Sequence, residues 1–366
     1  MSNHIVIDAR NRRSSTGRYT SRLIDFLQRI DKDNTYTVLV ESADDWQSAS
    51  SNFQRADCNY NQFSFNPLQQ IGFAWQLYRL KPNLVHFTMT QQPLLYFGNI
   101  VTTTHDLTML RYTRPSRFPS WLHAIGMSLY RFLFWWSHKK SKHIIVPTNY
   151  VAADVTTLHP FTKDKITVTY ESGEPPIDAP AEPLPGVQKP FIMHVGAPFP
   201  HKNIRRLLDA FAIAKEYNPD LTLVLPGKMK DQFKRDFDGW LSNHSAKESI
   251  VTPGFVSDEQ LKWLYQNAEA YVLPSLSEGF GLPGIEAMVH GCPLISSNAT
   301  CLPEVYDDAA VYFDPTSVRD MADKINNVIN DKDAQQELIK KGHARAKQFS
   351  WKRMAEQTLA VYKKCL

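Results

Sequence analysis

The stretch Ser277-Glu278-Gly279-Phe280-Gly281-Leu282-Pro283-Gly284-Ile285-Glu286-Ala287-Met288 decides how the chain is read. Before it, Ala270-Tyr271-Val272-Leu273-Pro274 is a short apolar run with the character of a buried strand. Pro283 suits a first helical position, where its missing N–H costs nothing. Gly291 suits the stop. The pattern predicts strand, glycine-rich turn, helix. The backbone N–H groups of Phe280, Gly281 and Leu282 would then point out of a helix N-terminus, a natural seat for phosphate. The glycines would let a ligand approach the backbone closely.

Two readings of the turn compete. Gly279-Phe280-Gly281-Leu282-Pro283-Gly284 matches the dinucleotide pattern G-x-G-x-x-G, with Glu304 about 20 residues further on. That fingerprint wants its first glycine directly after the strand, and here Ser275, Leu276, Ser277 and Glu278 intervene. Its acid should close the next strand, yet Glu304 lies well beyond Pro293-Leu294-Ile295-Ser296. The second reading uses Glu278 and Glu286, which flank the turn with seven residues between them. Carboxylates so placed accept hydrogen bonds from paired hydroxyls, as on a ribose and a sugar ring. With phosphate between them, the ligand suggested is a nucleoside diphosphate sugar. The plainer alternative is that Glu286 complements the helix dipole and Glu278 is solvated.

Around this stretch the chain is ordinary for a globular protein of about two domains, with 366 residues, 43% hydrophobic and 21% charged. The formal charge of +4, from 41 basic and 37 acidic residues, is too mild to imply nucleic acid. Cys58, Cys292, Cys301 and Cys365 show neither metal spacing nor a disulfide framework, which fits a reducing cytoplasm. The first residues do not resemble a signal peptide, and no apolar run is long enough to span a bilayer.

Working outward, Ile5-Val6-Ile7-Asp8 reads as a first buried strand, followed by a basic loop through Arg10, Arg12, Arg13, Gly17 and Arg18 and then a helix carrying Leu23, Leu27 and Ile30. Gly17 and its arginines have the position to face phosphate or an acceptor, or to form a solvated loop. Further strands are expected at Tyr36–Val40, Leu84–Phe87, Ile100–Thr104 and His143–Pro147, and their alternation with helices argues for a parallel sheet. His105-Asp106 follows directly on Ile100–Thr104, where an open α/β sheet places ligand groups. The apolar segment 121–136, with Arg114 and Arg117 before it and His138-Lys139-Lys140-Ser141-Lys142 after it, reads either as a core helix or as a helix lying on a membrane near a lipid-linked acceptor.

Pro175, Pro176, Pro180, Pro183, Pro185 and Pro190 mark an interdomain linker. The expected organisation is a first domain over 1–174, a linker over 175–190, a second domain over 191–348, and a final helix over 349–366 packing back toward the first domain. In the second domain, Phe191-Ile192-Met193-His194-Val195 opens a new α/β series. Lys202 sits in the following loop at a helix start, a good place for a cation facing diphosphate. Gly254-Phe255-Val256 has the chemistry to present backbone and an aromatic face to a nucleobase, or to be an ordinary turn.

From Phe191 to Pro315 the motifs resemble the family 4 retaining glycosyltransferases of the GT-B fold. The resemblance rests on His194-Val195-Gly196 with His201-Lys202-Asn203, on Gly254-Phe255-Val256-Ser257-Asp258, on Pro274 to Pro283, on Glu286-Ala287-Met288 and on Leu302-Pro303-Glu304-Val305. Looser matches lie at Ile7-Asp8-Ala9-Arg10, Gly17-Arg18-Tyr19-Thr20 and His105-Asp106-Leu107. The closest likeness is to bacterial mannosyl- and related hexosyltransferases of surface-polysaccharide assembly, including lipopolysaccharide. The resemblance implies an α/β protein of two Rossmann-like, doubly wound domains facing a central cleft. It implies that Glu286 binds the donor ribose, that Glu278 contacts the donor sugar, and that Phe280, Gly281 and Leu282 offer N–H groups to sugar and phosphate. Lys202 would neutralise the diphosphate leaving group in place of a metal. His105 would line the cleft and help hold the donor sugar, Gly17 would sit near the diphosphate and acceptor, and Gly196 would be among the donor-binding residues. Where many relatives carry an arginine, this chain has Ala197 and His201, and Lys228 is the substitute suggested for the second phosphate cation. The implied reaction moves a hexose, mannose from GDP-mannose as first choice, to a glycan or lipid-linked glycan with retention and without metal or cofactor. Rival readings are a sugar-nucleotide isomerase or hydrolase of the same fold, a nicotinamide-dependent oxidoreductase, and a catalytically silent sugar-nucleotide sensor.

Overall fold

Continuous apolar runs such as Ile5-Val6-Ile7 and Val38-Leu39-Val40 leave no face for water, which is the signature of parallel strands covered on both sides. A computed structural model describes residues 2–14, 16–44, 46–61, 64, 66–112, 119–174, 178–227 and 231–366. The chain divides into two compact units, Met1–Glu171 with Ser350–Leu366, and Ser172–Phe349.

The first unit holds β1 (His4–Asp8), β2 (Thr35–Val40), β3 (Phe53–Asp57), β4 (Leu84–Phe87), β5 (Ile100–Thr103), β6 (His143–Val146) and β7 (Ile166–Val168). They form one sheet in the order β3-β2-β1-β4-β5-β6-β7. All pairings are parallel, with Ile5 opposite both Tyr36 and Leu84. The order reverses direction at β1, so the loops after β1 and β4 open a crevice at the strand carboxyl ends. The helix Trp351–Cys365 belongs to this unit: Ser350 caps it, and Ala355, Thr358 and Tyr362 form its buried stripe. Tyr362 Oη lies 2.6 Å from His86 Nδ1 on β4.

The second unit repeats the plan with β8 (Phe191–Met193), β9 (Thr222–Pro226), β10 (Ile250–Gly254), β11 (Ala270–Leu273), β12 (Leu294–Ser297) and β13 (Val311–Phe313), in the order β10-β9-β8-β11-β12-β13. Leu207, Leu208 and Phe211 of the helix Ile204–Tyr217 pack into its core against Leu223 and Val272. Residues 178–190 run along this unit, where Lys262 Nζ donates to Ala179 O at 2.6 Å and Leu184 is buried. Pro175 and Pro176 lie outside the described residues.

The segment 121–136 divides its two expected characters between its ends. It lies in the helix Ser120–Lys140, whose later turns bury Phe134, Ser137 and His138, while Trp121, Ile125 and Phe132 stand in solvent. Arg114 and Arg117 lie outside the described residues. Among the described residues, no helix is long and apolar enough to cross a membrane.

Candidate active site

The strand ending at Leu273, the turn and the helix Leu282–Val289 appear as the sequence predicts, one residue earlier at the helix start, with Pro283 as its second residue. Gly291 follows the helix at φ +74°, the left-handed conformation expected of a stop. Two of the three glycines serve a purpose other than the expected one. Gly281 caps the helix at φ +90°, and a Cβ there or on Gly284 would overlap the phenol of Tyr306. The Tyr306 hydroxyl donates to Gly281 O at 2.5 Å. The turn is shaped by a buried tyrosine behind it, and its smallness is needed on the protein side. Gly17 is similar, because a Cβ there would run into the carbonyls of Asn11 and Arg12.

Lys202 and Glu278 converge at the carboxyl ends of β8 and β11. Asn203 takes the left-handed conformation at φ +58°, and its side-chain amide donates to Pro274 O at 3.0 Å and Pro315 O at 2.8 Å. Leu276 N donates to His201 O at 2.7 Å. These bonds bring the Lys202 loop against the segment that leads to Glu278. Lys202 Nζ reaches Glu278 Oε1 at 2.7 Å, with side chains 19% and 12% exposed. Ser275 Oγ donates to the same oxygen at 2.6 Å, and Glu278 N donates to Thr300 Oγ1 at 3.1 Å. Burial works to raise the Glu278 pKa, but the Lys202 charge and the hydrogen bonds from Lys202 and Ser275 outweigh it and hold the carboxyl below its ordinary value. At neutral pH Glu278 is a carboxylate, an acceptor of hydrogen bonds and not a proton donor.

Glu286 is half-buried in the second turn of its helix, with Tyr265 Oη 3.4 Å from its carboxylate. The helix-dipole alternative weakens there, because that effect fades within the first turn. Phe255 is 82% exposed and Val256 half-buried, at the carboxyl end of β10. Gly196 packs its backbone against Gly227, joining the loops after β8 and β9. Lys228 lies outside the described residues. His201 stacks on Phe199 with centroids 5.8 Å apart.

In the first unit, His105 lies at the carboxyl end of β5 as expected, but both ring nitrogens face protein groups. Nε2 is 3.0 Å from Thr88 O and Nδ1 is 3.2 Å from Glu171 Oε1. Neither nitrogen is turned outward to a sugar hydroxyl in this arrangement. Arg10 is likewise turned inward: it pairs with Asp8 at 2.7 Å and lies over the Phe73 ring. Sequence reasoning missed Glu171, Asn203, Ser275, Thr300 and Tyr306. Asn203 carried a signal, since asparagine tolerates the left-handed conformation better than most residues. Glu171 carried little, because the strand before it is only three residues long.

Comparison with known proteins agrees with this architecture. The model of the glycosyl transferases group 1 matches residues 178–345, and that of glycosyltransferase family 4 matches residues 17–172. The O-antigen chain mannosyltransferase B of Escherichia coli is 32% identical over 312 residues, covering 79% of this chain and 76% of the relative. The O-antigen chain mannosyltransferase RfbU of Salmonella typhimurium is 27% identical over 267 residues, covering 68% and 72%. Among solved structures, sucrose-phosphate synthase from Thermosynechococcus elongatus superposes with a TM-score of 0.78 at 17% identity, over 99% of this chain and 98% of the other. The Anabaena protein HepE, solved with UDP and glucose, superposes at 0.73 and 15% identity over 99% and 100%. These likenesses carry the fold, two Rossmann-like units of the GT-B type. The extent and identity of the sequence match carry the family: the chain belongs to the family 4 glycosyltransferases.

Proposed function

We propose that this glycosyltransferase moves a hexose, with mannose the first choice, from a nucleoside diphosphate sugar to a hydroxyl of a glycan or lipid-linked glycan, with retention at the anomeric carbon and without a metal. The observation that carries the reading is the Lys202–Glu278 pair beside the N-terminus of the helix Leu282–Val289. The carboxylate accepts hydrogen bonds from sugar hydroxyls. The ammonium lies next to it, where the leaving diphosphate gathers charge, and the helix end adds its partial positive charge. Glu286 holds the ribose, and the exposed Phe255 offers a face to the base. Two sequence relatives are named as O-antigen chain mannosyltransferases, which supports mannose and GDP-mannose. The acceptor hydroxyl attacks on the face from which the diphosphate leaves, with no covalent intermediate on the enzyme.

A panel of GDP-mannose, UDP-glucose and UDP-galactose, each with and without a glycan acceptor and with a chelator, tests this. The expected result is acceptor-dependent turnover of GDP-mannose, an α-linked product and undiminished rate in chelator. Donor cleavage that ignores the acceptor would identify a hydrolase, and a strict metal requirement would overturn the proposed leaving-group chemistry.

Membrane contact through residues 114–142 is part of the same proposal, at the cytoplasmic face where a lipid-linked acceptor would be met. Trp121, Ile125 and Phe132 are 64%, 57% and 48% exposed on one helix. Between Cys58 and Ala153 the sole acidic residue is Asp106, against nine lysines and arginines. Aromatic side chains with surrounding positive charge suit an anionic lipid surface. The protein is expected to co-sediment with phosphatidylglycerol vesicles and to lose most of that binding in Trp121→Glu/Ile125→Glu. Equal sedimentation of both proteins would refute it.

A further inference from the structure

We infer that Glu171 is the positioning residue that keeps His105 a fixed imidazolium, so that the ring is neither a neutral hydrogen-bond acceptor nor a proton acceptor. The hydrogen-bond geometry carries this. Thr88 O only accepts, so Nε2, 3.0 Å away, must carry a proton. Nδ1 faces Glu171 Oε1 at 3.2 Å, and an ionised carboxylate also only accepts. A ring that donates at both nitrogens is the cation. Of an imidazole and a carboxyl sharing one proton, the imidazole is ordinarily the stronger base.

The surroundings lock this arrangement. Tyr19 packs edge-on against the His105 ring, with centroids 4.9 Å apart. Tyr19 Oη lies 3.0 Å from Thr103 Oγ1, which lies 2.8 Å from His86 Nε2. Both nitrogens of His86 are thereby taken by hydroxyls, from Thr103 and Tyr362. The titratable groups facing His105 are Glu171, the adjacent Asp106, His86 and Tyr19. Burial would depress His105, but the hydrogen bond and charge of Glu171, with Asp106, raise it above its ordinary value. Burial and the His105 charge push His86 down to about 3, so it stays neutral beside its neighbour. Glu171 ends the first of the two segments that make up its unit, directly before the segment that forms the second.

The consequence for catalysis rests on the transferase reading above. With Glu171 ionised beside His105 the pair is close to neutral overall, but a ring that donates at both nitrogens has no lone pair left to offer. It cannot take a proton from an acceptor hydroxyl. The test has two arms, so that failure of the inference and of that reading are distinguishable. In the first, the His105 ring is titrated by NMR in the wild type and Glu171→Gln, with His105→Gln for assignment. The expected wild-type midpoint lies above 6.5, falls by a unit or more in Glu171→Gln, and is substantially restored in Glu171→Asp. A wild-type midpoint at or below the ordinary value, or no change in Glu171→Gln, overturns the inference whatever the enzyme does. In the second, Glu171→Gln is expected to lose at least tenfold in kcat/KM at pH 8 and to recover part of it at pH 6, where the unassisted histidine regains its proton. A pH-independent loss would overturn the charge role and leave only a structural one. Absence of any transfer by the wild type would count against the transferase reading alone.

Discussion

Lys202→Ala is expected to lower kcat/KM for transfer by about 10²–10³-fold while the protein remains folded. The ammonium lies 2.7 Å from Glu278, and it is held there by a loop that Asn203 ties to two other strand ends. On the proposed reaction, removing it takes away one of the charges that would stabilise the leaving diphosphate. The variant also strips Glu278 of the charge that keeps its pKa low, so burial would then push the carboxyl upward. Because water reaches both side chains, the stability cost of losing the pair is about 1–2 kcal/mol, well short of unfolding. Steady-state kinetics and a thermal melt measured on one preparation separate the two effects. Turnover close to that of the wild type, with an unchanged melt, would remove Lys202 from the chemistry.

The second large effect is acid lability. His86 and His138 in the first unit are pushed by burial down to about 3, and His194 in the second down to about 4. In the unfolded chain each titrates near 6.5. Between those values the unfolded state takes up protons that the folded state refuses, so stability is lost as pH falls below about 6.5. Each histidine contributes a slope of about 1.4 kcal/mol per pH unit in that window, and the two in the first unit together up to about 3. This is a large share of the stability of an ordinary domain. His105 behaves oppositely: its raised pKa gives stability that is complete below 6.5 and lost as pH rises through its folded value. His105 therefore opposes the other three as pH rises. Urea titrations at pH 7.5, 6 and 5 should show the midpoint falling steeply with acid. A midpoint independent of pH over that range would mean these histidines are not buried in neutral form.

Most of the fold was legible because buried parallel strands announce themselves as unbroken apolar runs, as at Ile5–Asp8 and Ala270–Leu273. The strands that escaped, Phe53–Asp57 and Ile166–Val168, lie at the two edges of the first sheet. An edge strand shows part of itself to water, and Phe-Gln-Arg-Ala-Asp has no apolar run to detect. Lys202, Glu278 and Glu286 were found by type and by place relative to strand ends. Their mutual arrangement was not, since the Lys202–Glu278 contact joins residues 76 apart through bonds made by an asparagine side chain and a backbone N–H. His105 shows the same limit from the other side. Its position at a strand end was readable, but its occupation by Thr88 and Glu171 depends on where two other strands finish.

The tyrosine behind the glycine turn couples the changes that this region can accept by mutation. Gly284 has ordinary helical backbone, and the three atoms nearest a methyl group there all belong to Tyr306, whereas Gly281 also meets Leu302 and is held at a positive φ. Shrinking Tyr306 would therefore make alanine acceptable at 284 but still strained at 281. Gly284→Ala alone meets the ring, and a smaller residue at 306 alone leaves a cavity and loses the bond to Gly281 O, so each change alters the cost of the other. The pair is an instance of epistasis written into one van der Waals contact.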